Sequence, residues 1–333
     1  MKLLIFLALV GLTTAAVYQH SLTWRESKRS KLIKSGQWPT YLKYKELMRS
    51  VKANGKFSNL KSVGQKVSDY DNCDPRCCNT KKHAFKNLLS NRDACDYKRK
   101  FDSTKSSTYV KNGQQWEIEY DLSEGILGLA FTSLSVSGAV PPLINAVNQG
   151  LLDKPLFTVY LRQRGNQENV PGGVFTYGAV DTQNCGDVIA YEKLTSASYF
   201  QFRIQKVGLG SYSSSAGWEA ISNTGSYFIQ GPKGVTDLIA STAGAIYDDF
   251  YGTYKIDCKA DFAPLTITIG KNTYQVDKKQ LLATLENGKC ELALSPSEFG
   301  GFHDTWVLGD PWIRQYCNIY SFDKQIGFAP TKK

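Results

Sequence analysis

The segment Ala220–Ser226, with the sequence AISNTGS, constrains the fold of this chain more than any other stretch. Ala220 and Ile221 are typical of the end of a buried strand. Gly225 can adopt backbone angles that other residues avoid, so it permits a tight loop. Serine and threonine side chains on both sides of this glycine can hydrogen-bond the backbone of the loop itself. We therefore predict a buried strand that ends in a short polar turn.

Two apolar motifs near the C-terminus accompany this turn. Trp306–Pro311 has the sequence WVLGDP, and Ile326–Pro330 has the sequence IGFAP. Together the three motifs resemble the second active-site loop and the closing strands of the pepsin-like aspartic proteases of eukaryotes. The loop of that family reads Asp-Thr-Gly-Ser/Thr, and here Asn223 occupies the position of the acid. The resemblance implies an all-β, two-lobed fold.

The resemblance extends from about Phe101 to Pro330 and is strong from Pro155 onward, but the first lobe lacks two pieces of the family pattern. The first Asp-Thr-Gly loop and its strand should lie between Tyr70 and the first cysteines, and the sequence contains no Asp-Thr-Gly. The return arm of the flap that covers the substrate is missing directly after Tyr120. We therefore expect an incomplete N-terminal lobe.

Tyr120 ends the alternating segment Gln115–Tyr120, which is typical of a strand. The resemblance places it at the position of the flap tyrosine, where it would contact substrate. The alternative is an ordinary half-exposed tyrosine in a strand. Three acids of the first lobe, Asp102, Asp121 and Glu124, lack the strand-and-loop context of a catalytic aspartate. No motif therefore identifies a partner carboxylate.

The resemblance implies hydrolysis of peptide bonds by two facing carboxylates and a bound water. Such a pair shares one proton, because two like charges so close together do not both ionise readily. The amide of Asn223 cannot accept the proton that this mechanism moves, although it can still hydrogen-bond. Thr224, Gly225 and Ser226 match the family loop. The sequence therefore predicts a loop of the family shape without its acid.

The N-terminus has the features of a secretory signal peptide at residues 1–16: a lysine, the apolar run Leu3–Val10 and small residues up to Ala16. A membrane anchor is the alternative, but this run is too short to span a bilayer. We expect a chain that is secreted or lies in the lumen of an acidic compartment, with no membrane segment in its mature form.

The formal net charge of +10 belongs to one segment, because Val17–Lys66 carries 12 Lys and Arg against 2 Asp and Glu. Basic segments can bind nucleic acid or anionic membranes. After a signal peptide nucleic acid is not expected, and the resemblance implies a prosegment at 17–68 that covers an acidic cleft. The alternative is a solvated basic tail. The expected organisation continues with a truncated N-terminal lobe at 69–184 and a C-terminal lobe at 185–333.

Eight cysteines in an exported chain predict disulfides. Four of them cluster early, at Cys73, Cys77, Cys78 and Cys95, and their pairing is left open. A metal site in this cluster is not expected, because zinc spacing usually gives two separated pairs or adds histidines. In the later part, the family bridges a pair spaced like Cys258 and Cys290. The resemblance also places Cys185 and Cys317 in the central sheet, where we expect them to pair with each other.

Apolar periodicity predicts the other elements of the later part. Helical spacing predicts helices over 142–152 and 232–246. Strands are predicted over 155–161, 172–180 and 200–207. Alternation on both sides of Gly270-Lys271-Asn272 predicts a hairpin from Leu265 to Val276.

Three hypotheses of function follow. The chain is a catalytically impaired or inactive family member that binds peptides or proteins, a working acid endopeptidase that recruits another carboxylate, or an incomplete splice or gene-prediction form of an active enzyme. No phosphate loop, serine elbow or Cys/His pair is visible, so no cofactor and no metal are expected. The expected ligand is a protein or peptide, and the expected state is a monomer.

Overall fold

A computed structural model describes residues 16–23, 32–43, 127–135, 138–163, 169–249, 251–285, 288–297 and 305–332. The chain divides into two compact units, which are described separately. The first comprises residues 1–26 and 129–333, and the second comprises residues 27–128. In the second unit, residues 32–34 and 38–43 are helical, and the rings of Trp38 and Tyr41 lie 5.6 Å apart between centroids.

The first unit consists mainly of short strands, so the expectation of an all-β fold is confirmed. Its described strands are β1 (Tyr18–Thr23), β2 (Leu156–Leu161), β3 (Pro171–Tyr177), β4 (Ala190–Lys193), β5 (Gln201–Leu209), β6 (Tyr212–Ser214), β7 (Trp218–Ser222), β8 (Ile229–Gly231), β9 (Ile246–Asp248), β10 (Thr253–Ile256), β11 (Leu265–Ile269), β12 (Asn272–Val276), β13 (Leu282–Thr284), β14 (Cys290–Leu292), β15 (Leu294–Pro296), β16 (Trp306–Leu308), β17 (Tyr316–Ser321) and β18 (Gln325–Pro330). Its described helices are a 3₁₀ turn at Thr132–Leu134, α1 (Pro142–Asn148), α2 (Lys233–Thr242), α3 (Lys278–Leu281) and α4 (Asp310–Gln315). None of these helices is long and apolar enough to cross a membrane.

One sheet has six strands in the order β1-β3-β2-β17-β18-β4. Its central strand is buried on both faces, since every residue of β17 is buried. Phe157 of β2 stacks on Tyr320 of β17 with ring centroids 4.6 Å apart. Strand β1 lies at one edge and pairs antiparallel with β3 over its whole length, from Tyr18 opposite Tyr177 to Thr23 opposite Pro171. The start of the basic N-terminal segment is therefore part of this sheet.

A second sheet has the order β12-β11-β5-β7-β16-β8-β15, with β6 added on β5. Parallel pairing occurs between β7 and β16 and between β8 and β15. The predicted hairpin is present as β11 and β12, in which Leu265, Ile267 and Ile269 point into the core. The chain reverses at Gly270, whose φ of +57° favours glycine. A third sheet has four strands in the order β13-β14-β10-β9.

The two predicted helices are present but shorter than expected. Helix α1 ends at Asn148 rather than at residue 152, just before Gly150 with a φ of +66°. Helix α2 ends at Thr242 rather than at residue 246, because Gly244 has a φ of +80° that ends the helical turn. Ile246 was predicted to be helical but begins strand β9 instead, with 77% of its surface exposed.

Two disulfides join distant parts of the first unit, in the pairings that the sequence analysis expected. Cys258 pairs with Cys290 across 32 residues, and Cys185 pairs with Cys317 across 132 residues. Cys317 lies in β17 as expected, whereas Cys185 lies outside the named strands. The early cysteines, Cys73, Cys77, Cys78 and Cys95, lie outside the described residues.

Candidate active-site loop

The Asn223 loop, defined here as residues 223–226, begins where two parallel strands end. Strand β7 runs beside β16, with Ser222 opposite Leu308 in the register. The N–H of Asn223 donates to the carbonyl oxygen of Leu308 at 3.1 Å, which extends the pairing by one bond. Because β16 is buried and β7 is mostly buried, the first residue of the loop is held on a rigid base.

The side chain of Asn223 fixes the shape of the loop. Its Oδ1 accepts a hydrogen bond of 2.8 Å from the N–H of Gly225. The carbonyl oxygen of Asn223 accepts a second bond, at 3.3 Å, from the N–H of Ser226. The hydroxyl of Ser226 then donates to the carbonyl oxygen of Phe228 at 2.9 Å. The amide thus makes, within the loop, a bond that a carboxylate could also make.

Residues Gly309 and Asp310 hold the other side of the loop. The N–H of Asp310 donates to the carbonyl oxygen of Ser226 at 2.9 Å. Gly309 lies so close that an added Cβ would stand 2.3 Å from the oxygen of Ser226 and 2.4 Å from that of Phe228. Only glycine fits here without moving backbone atoms, which explains this residue type between β16 and α4.

A polar cluster beneath the loop joins the two large sheets. The hydroxyl of Ser222, in β7, donates to Oδ1 of Asn318 at 2.8 Å and lies 2.8 Å from the hydroxyl of Tyr320. Both partners belong to β17 and are buried. The amide Nδ2 of Asn318 donates to the carbonyl oxygen of Tyr316 at 2.8 Å. The hydroxyl of Ser222 has one hydrogen, which it donates to Asn318, so Tyr320 must be the donor in its hydrogen bond with Ser222. Every member of the cluster then has a hydrogen-bond partner.

Among the described residues, Asp310 is an acid whose backbone N–H bonds the loop. Its side chain keeps 27% of its surface exposed, yet the surrounding protein removes enough water to raise the pKa of the carboxyl to about 6. Nη1 of Arg314 lies 3.9 Å from Oδ2 of Asp310 and lowers that pKa only in part. Burial also lowers the pKa of Arg314 and raises that of Tyr320.

The chemistry of this arrangement differs from that of a carboxylate pair. Asn223 can accept and donate hydrogen bonds but cannot take a proton from water. Asp310 can ionise, but one carboxyl does not supply both the base and the acid that the paired mechanism needs. The loop therefore holds an amide where the paired mechanism needs a carboxylate.

The sequence analysis singled out the four loop residues, and the structure brings all of them together. It did not single out Asp310, Ser222, Asn318 or Tyr320 as members of a site. Asp310 was visible within the WVLGDP motif, but the raised pKa of its carboxyl arises from tertiary burial. Tyr120 and the acids Asp102, Asp121 and Glu124 lie outside the described residues. Within the described ranges, no group of three or more His, Cys, Asp and Glu could hold a metal ion.

The sequence of this chain is similar to those of known aspartic proteases. The family model described as eukaryotic aspartyl protease matches residues 121–331. Aspartic protease 6 of Caenorhabditis elegans is 43% identical, with 99% of each chain covered. Aspartic protease 2 of Necator americanus is 30% identical over 99% of each chain. Gastricsin of Homo sapiens is 26% identical over 71% of this chain and 72% of its own.

The first of these alignments also contains a difference in length. It runs over 387 positions, whereas this chain has 333 residues in total. Aspartic protease 6 therefore carries segments without a counterpart in this chain. Because 99% of this chain is covered, those segments lie largely within the aligned region.

Proposed function

Because the chain belongs to the eukaryotic aspartyl protease family, we propose that it is a secreted, catalytically impaired or inactive member that binds proteins or peptides. One observation carries this proposal: the loop holds the amide of Asn223, whose Oδ1 accepts the N–H of Gly225. The family reaction, acid hydrolysis of peptide bonds, requires a carboxylate there. The retained loop geometry supports binding, and the missing acid argues against hydrolysis.

Secretion is supported by the N-terminal sequence and by the disulfides. Residues 1–16 have the pattern of a signal peptide, and its removal would leave Val17 as the first residue of the exported chain. Disulfides such as Cys258–Cys290 persist in oxidising compartments. We infer an extracellular or acidic luminal location, where the protein acts as a monomer. A fusion of residues 1–16 to a reporter tests export, and gel filtration tests the oligomeric state.

The basic segment at 17–68 is proposed to act as a prosegment. Strand β1 supports this, because the segment begins as an integral edge strand of the six-stranded sheet. Its charge, 12 basic residues against 2 acidic ones in Val17–Lys66, supports contact with an acidic surface. The proposed lobes, 69–184 and 185–333, follow it in the sequence.

The second candidate is an incomplete form of an active acid endopeptidase. The length difference from Aspartic protease 6 favours it, as do the breaks in the family pattern near residue 70 and between Tyr120 and Asp121. Sequencing the transcript across both positions distinguishes the two candidates. Restored segments would still leave Asn223 in place, because a single residue difference is not explained by missing pieces.

Hydrolysis of an unfolded protein between about pH 3 and 5 tests the proposal, since a carboxyl pair would share its proton there. Purified, acid-treated protein is expected to cleave no faster than a blank, with or without an inhibitor directed at aspartic proteases. Asn223→Asp alone is expected to give no rescue, because one carboxylate is still missing. Inhibitor-sensitive cleavage by the unmodified chain would overturn the proposal.

A further inference from the structure

The disulfide between Cys258 and Cys290 lies at the surface, whereas the disulfide between Cys185 and Cys317 is enclosed. Cys258 is exposed just after strand β10, and Cys290 begins β14 with 3% of its surface exposed. Cys185 and Cys317 are 2% and 0% exposed. A thiol in solution can therefore reach the sulfur of Cys258 while the protein stays folded, but it cannot reach the other bridge.

A groove of about 700 Å³ lies beside the exposed sulfur. Both cysteines of the bridge line this groove, together with residues of β9, the end of β10 and the turn before β14. Its volume is typical of sites that bind small molecules. Because the bridge forms part of the wall, a small molecule in the groove can place a sulfur atom next to Cys258.

The groove carries more positive than negative charge. The charged residues that line it are three lysines and two aspartates, namely Lys255, Lys259, Lys289, Asp248 and Asp257. The ammonium of Lys255 forms an ion pair with Asp248, and Oδ1 of Asp257 accepts the backbone N–H of Lys259 at 2.8 Å. Lys259 and Lys289 each adjoin one cysteine of the bridge in the sequence. The groove therefore favours a ligand with negative charge close to the disulfide.

The surroundings of Cys290 can stabilise it as a thiolate. Thr284 of β13 stands opposite Cys290 in the register, and its hydroxyl oxygen lies 3.7 Å from Sγ of Cys290. This hydroxyl can donate a hydrogen bond to a thiolate. The positive charge of Lys289, the preceding residue, also favours the thiolate over the thiol. Exposure therefore selects Cys258 as the sulfur that is attacked, and Cys290 is the sulfur that leaves.

The sheet around the bridge does not depend on the disulfide for its pairing. Strand β10 pairs with β14 from Tyr254 opposite Leu292 to Ile256 opposite Cys290, and β13 pairs with the other side of β14. Opening of the bridge therefore releases mainly the short turn at 257–260, which follows β10. The reaction can take place in the folded protein.

We propose that the Cys258–Cys290 bridge is a thiol-exchange site for a small peptide thiol that carries carboxylate groups. The thiolate of the ligand attacks Sγ of Cys258 and forms a new S–S bond with it. The bond between Cys258 and Cys290 breaks, and its electron pair remains on Sγ of Cys290, which takes a proton from water. The ligand sulfur is oxidised and Cys290 is reduced, so no other reactant is needed. The carboxylates of the ligand meet Lys259 and Lys289. This reaction is separate from the binding proposed at the Asn223 loop.

The first test maps the exchange in the full chain without denaturant. The protein is incubated with excess reduced glutathione and an alkylating agent, and its peptides are then identified by mass spectrometry. We expect one glutathione on Cys258, an alkylated Cys290 and an intact bridge between Cys185 and Cys317, which serves as the internal control. No adduct on Cys258, an adduct on Cys290 alone, or opening of both bridges at the same rate would overturn the proposal.

The second test asks whether the two lysines recognise the carboxylates of the thiol. The rate of exchange with glutathione is measured in the wild type, in the double variant Lys259→Gln/Lys289→Gln and in Lys259→Arg/Lys289→Arg. Lys206→Gln is the matched control, because Lys206 is an exposed lysine of β5 in another sheet.

We expect the double Gln variant to react about fivefold more slowly with glutathione, and the Arg variant and Lys206→Gln to keep the wild-type rate. With 2-mercaptoethanol, which has no carboxylate, the double Gln variant should lose at most about a factor of two. Equal losses with both thiols, or no loss with glutathione, would overturn the recognition of carboxylates in the groove.

Discussion

The N–H of Gly225 donates a hydrogen bond of 2.8 Å to Oδ1 of Asn223. Asn223, which stands where the family has an aspartate, therefore still stabilises the conformation of the loop. The residue at position 223 therefore maintains the conformation of the loop but cannot transfer a proton. The loop keeps a fixed conformation on the ends of β7 and β16, and it lacks a group that exchanges protons at the pH of the family reaction.

Replacing the side chain of Asn223 tests the role of this bond. Asn223→Ala should lower the free energy of unfolding by about 1 kcal/mol, because the N–H of Gly225 loses its partner. Asn223→Asp keeps an acceptor and should retain wild-type stability at neutral pH. Urea denaturation measures both variants. Equal stability of the Ala and Asp variants would show that the bond has no structural role.

Replacing glycine at the contact between α4 and the loop should be strongly destabilising. In Gly309→Ala the new Cβ would stand 2.3 Å from the oxygen of Ser226, so backbone must move, at a cost of about 3 kcal/mol. Gly234→Ala is the control, since no atom lies within 4 Å of an added Cβ in helix α2. That variant should gain up to about 1 kcal/mol. Thermal unfolding of both proteins gives the comparison, and a tolerated Gly309→Ala would contradict the tight contact.

The two disulfides should contribute unequally to stability. Loop-closure entropy assigns about 5 kcal/mol to Cys185–Cys317 and about 4 kcal/mol to Cys258–Cys290, because the first closes the longer loop. Double serine variants of each pair, unfolded in urea, should follow that order. Mass spectrometry of the unreduced protein checks the pairing first. A free thiol at Cys185 or Cys317 would contradict the structure.

Stability should depend on pH through Asp310. Its pKa of about 6 in the folded state exceeds the usual value near 4, so the protein gains from this group only while the carboxyl is protonated. That contribution is complete below about pH 4 and is lost as pH rises through 6. Relative to Asp310→Asn, the wild type should lose up to about 3 kcal/mol between pH 4 and 7. Chemical denaturation at several pH values measures the difference. A constant difference would contradict the raised pKa.

Removal of the N-terminal strand should impair folding. Deleting residues 17–68 removes β1 and leaves the edge of β3 without its partner over Pro171–Tyr177, which favours aggregation. A matched variant that lacks only residues 24–68 keeps β1 and separates its contribution from that of the basic segment. Refolding yield at low and moderate salt measures both. Similar yields for the two deletions would show that β1 is dispensable.

Local patterns allowed much of the first unit to be predicted. Alternation over Leu265–Val276 predicted the hairpin β11–β12, and apolar spacing predicted α1 and α2. The C-terminal ends of both helices were predicted incorrectly, because the sequence pattern does not show whether a glycine adopts the positive φ that ends a helix. Ile246 shows the same limit, since its strand pairing with Lys255 outweighed its helical spacing.

The sequence by itself determined that the acid of the loop is absent, because that depends only on which residue occupies position 223. Tertiary structure decided which other groups surround the loop. Ser222 meets Asn318 and Tyr320 across 96 and 98 residues, and β1 meets β3 across more than a hundred. Likewise, the pKa of Asp310 depends on water excluded by helices and strands from distant parts of the chain. Periodicity records which side of an element is buried, whereas such contacts depend on the pairing of elements in space, which no local pattern encodes.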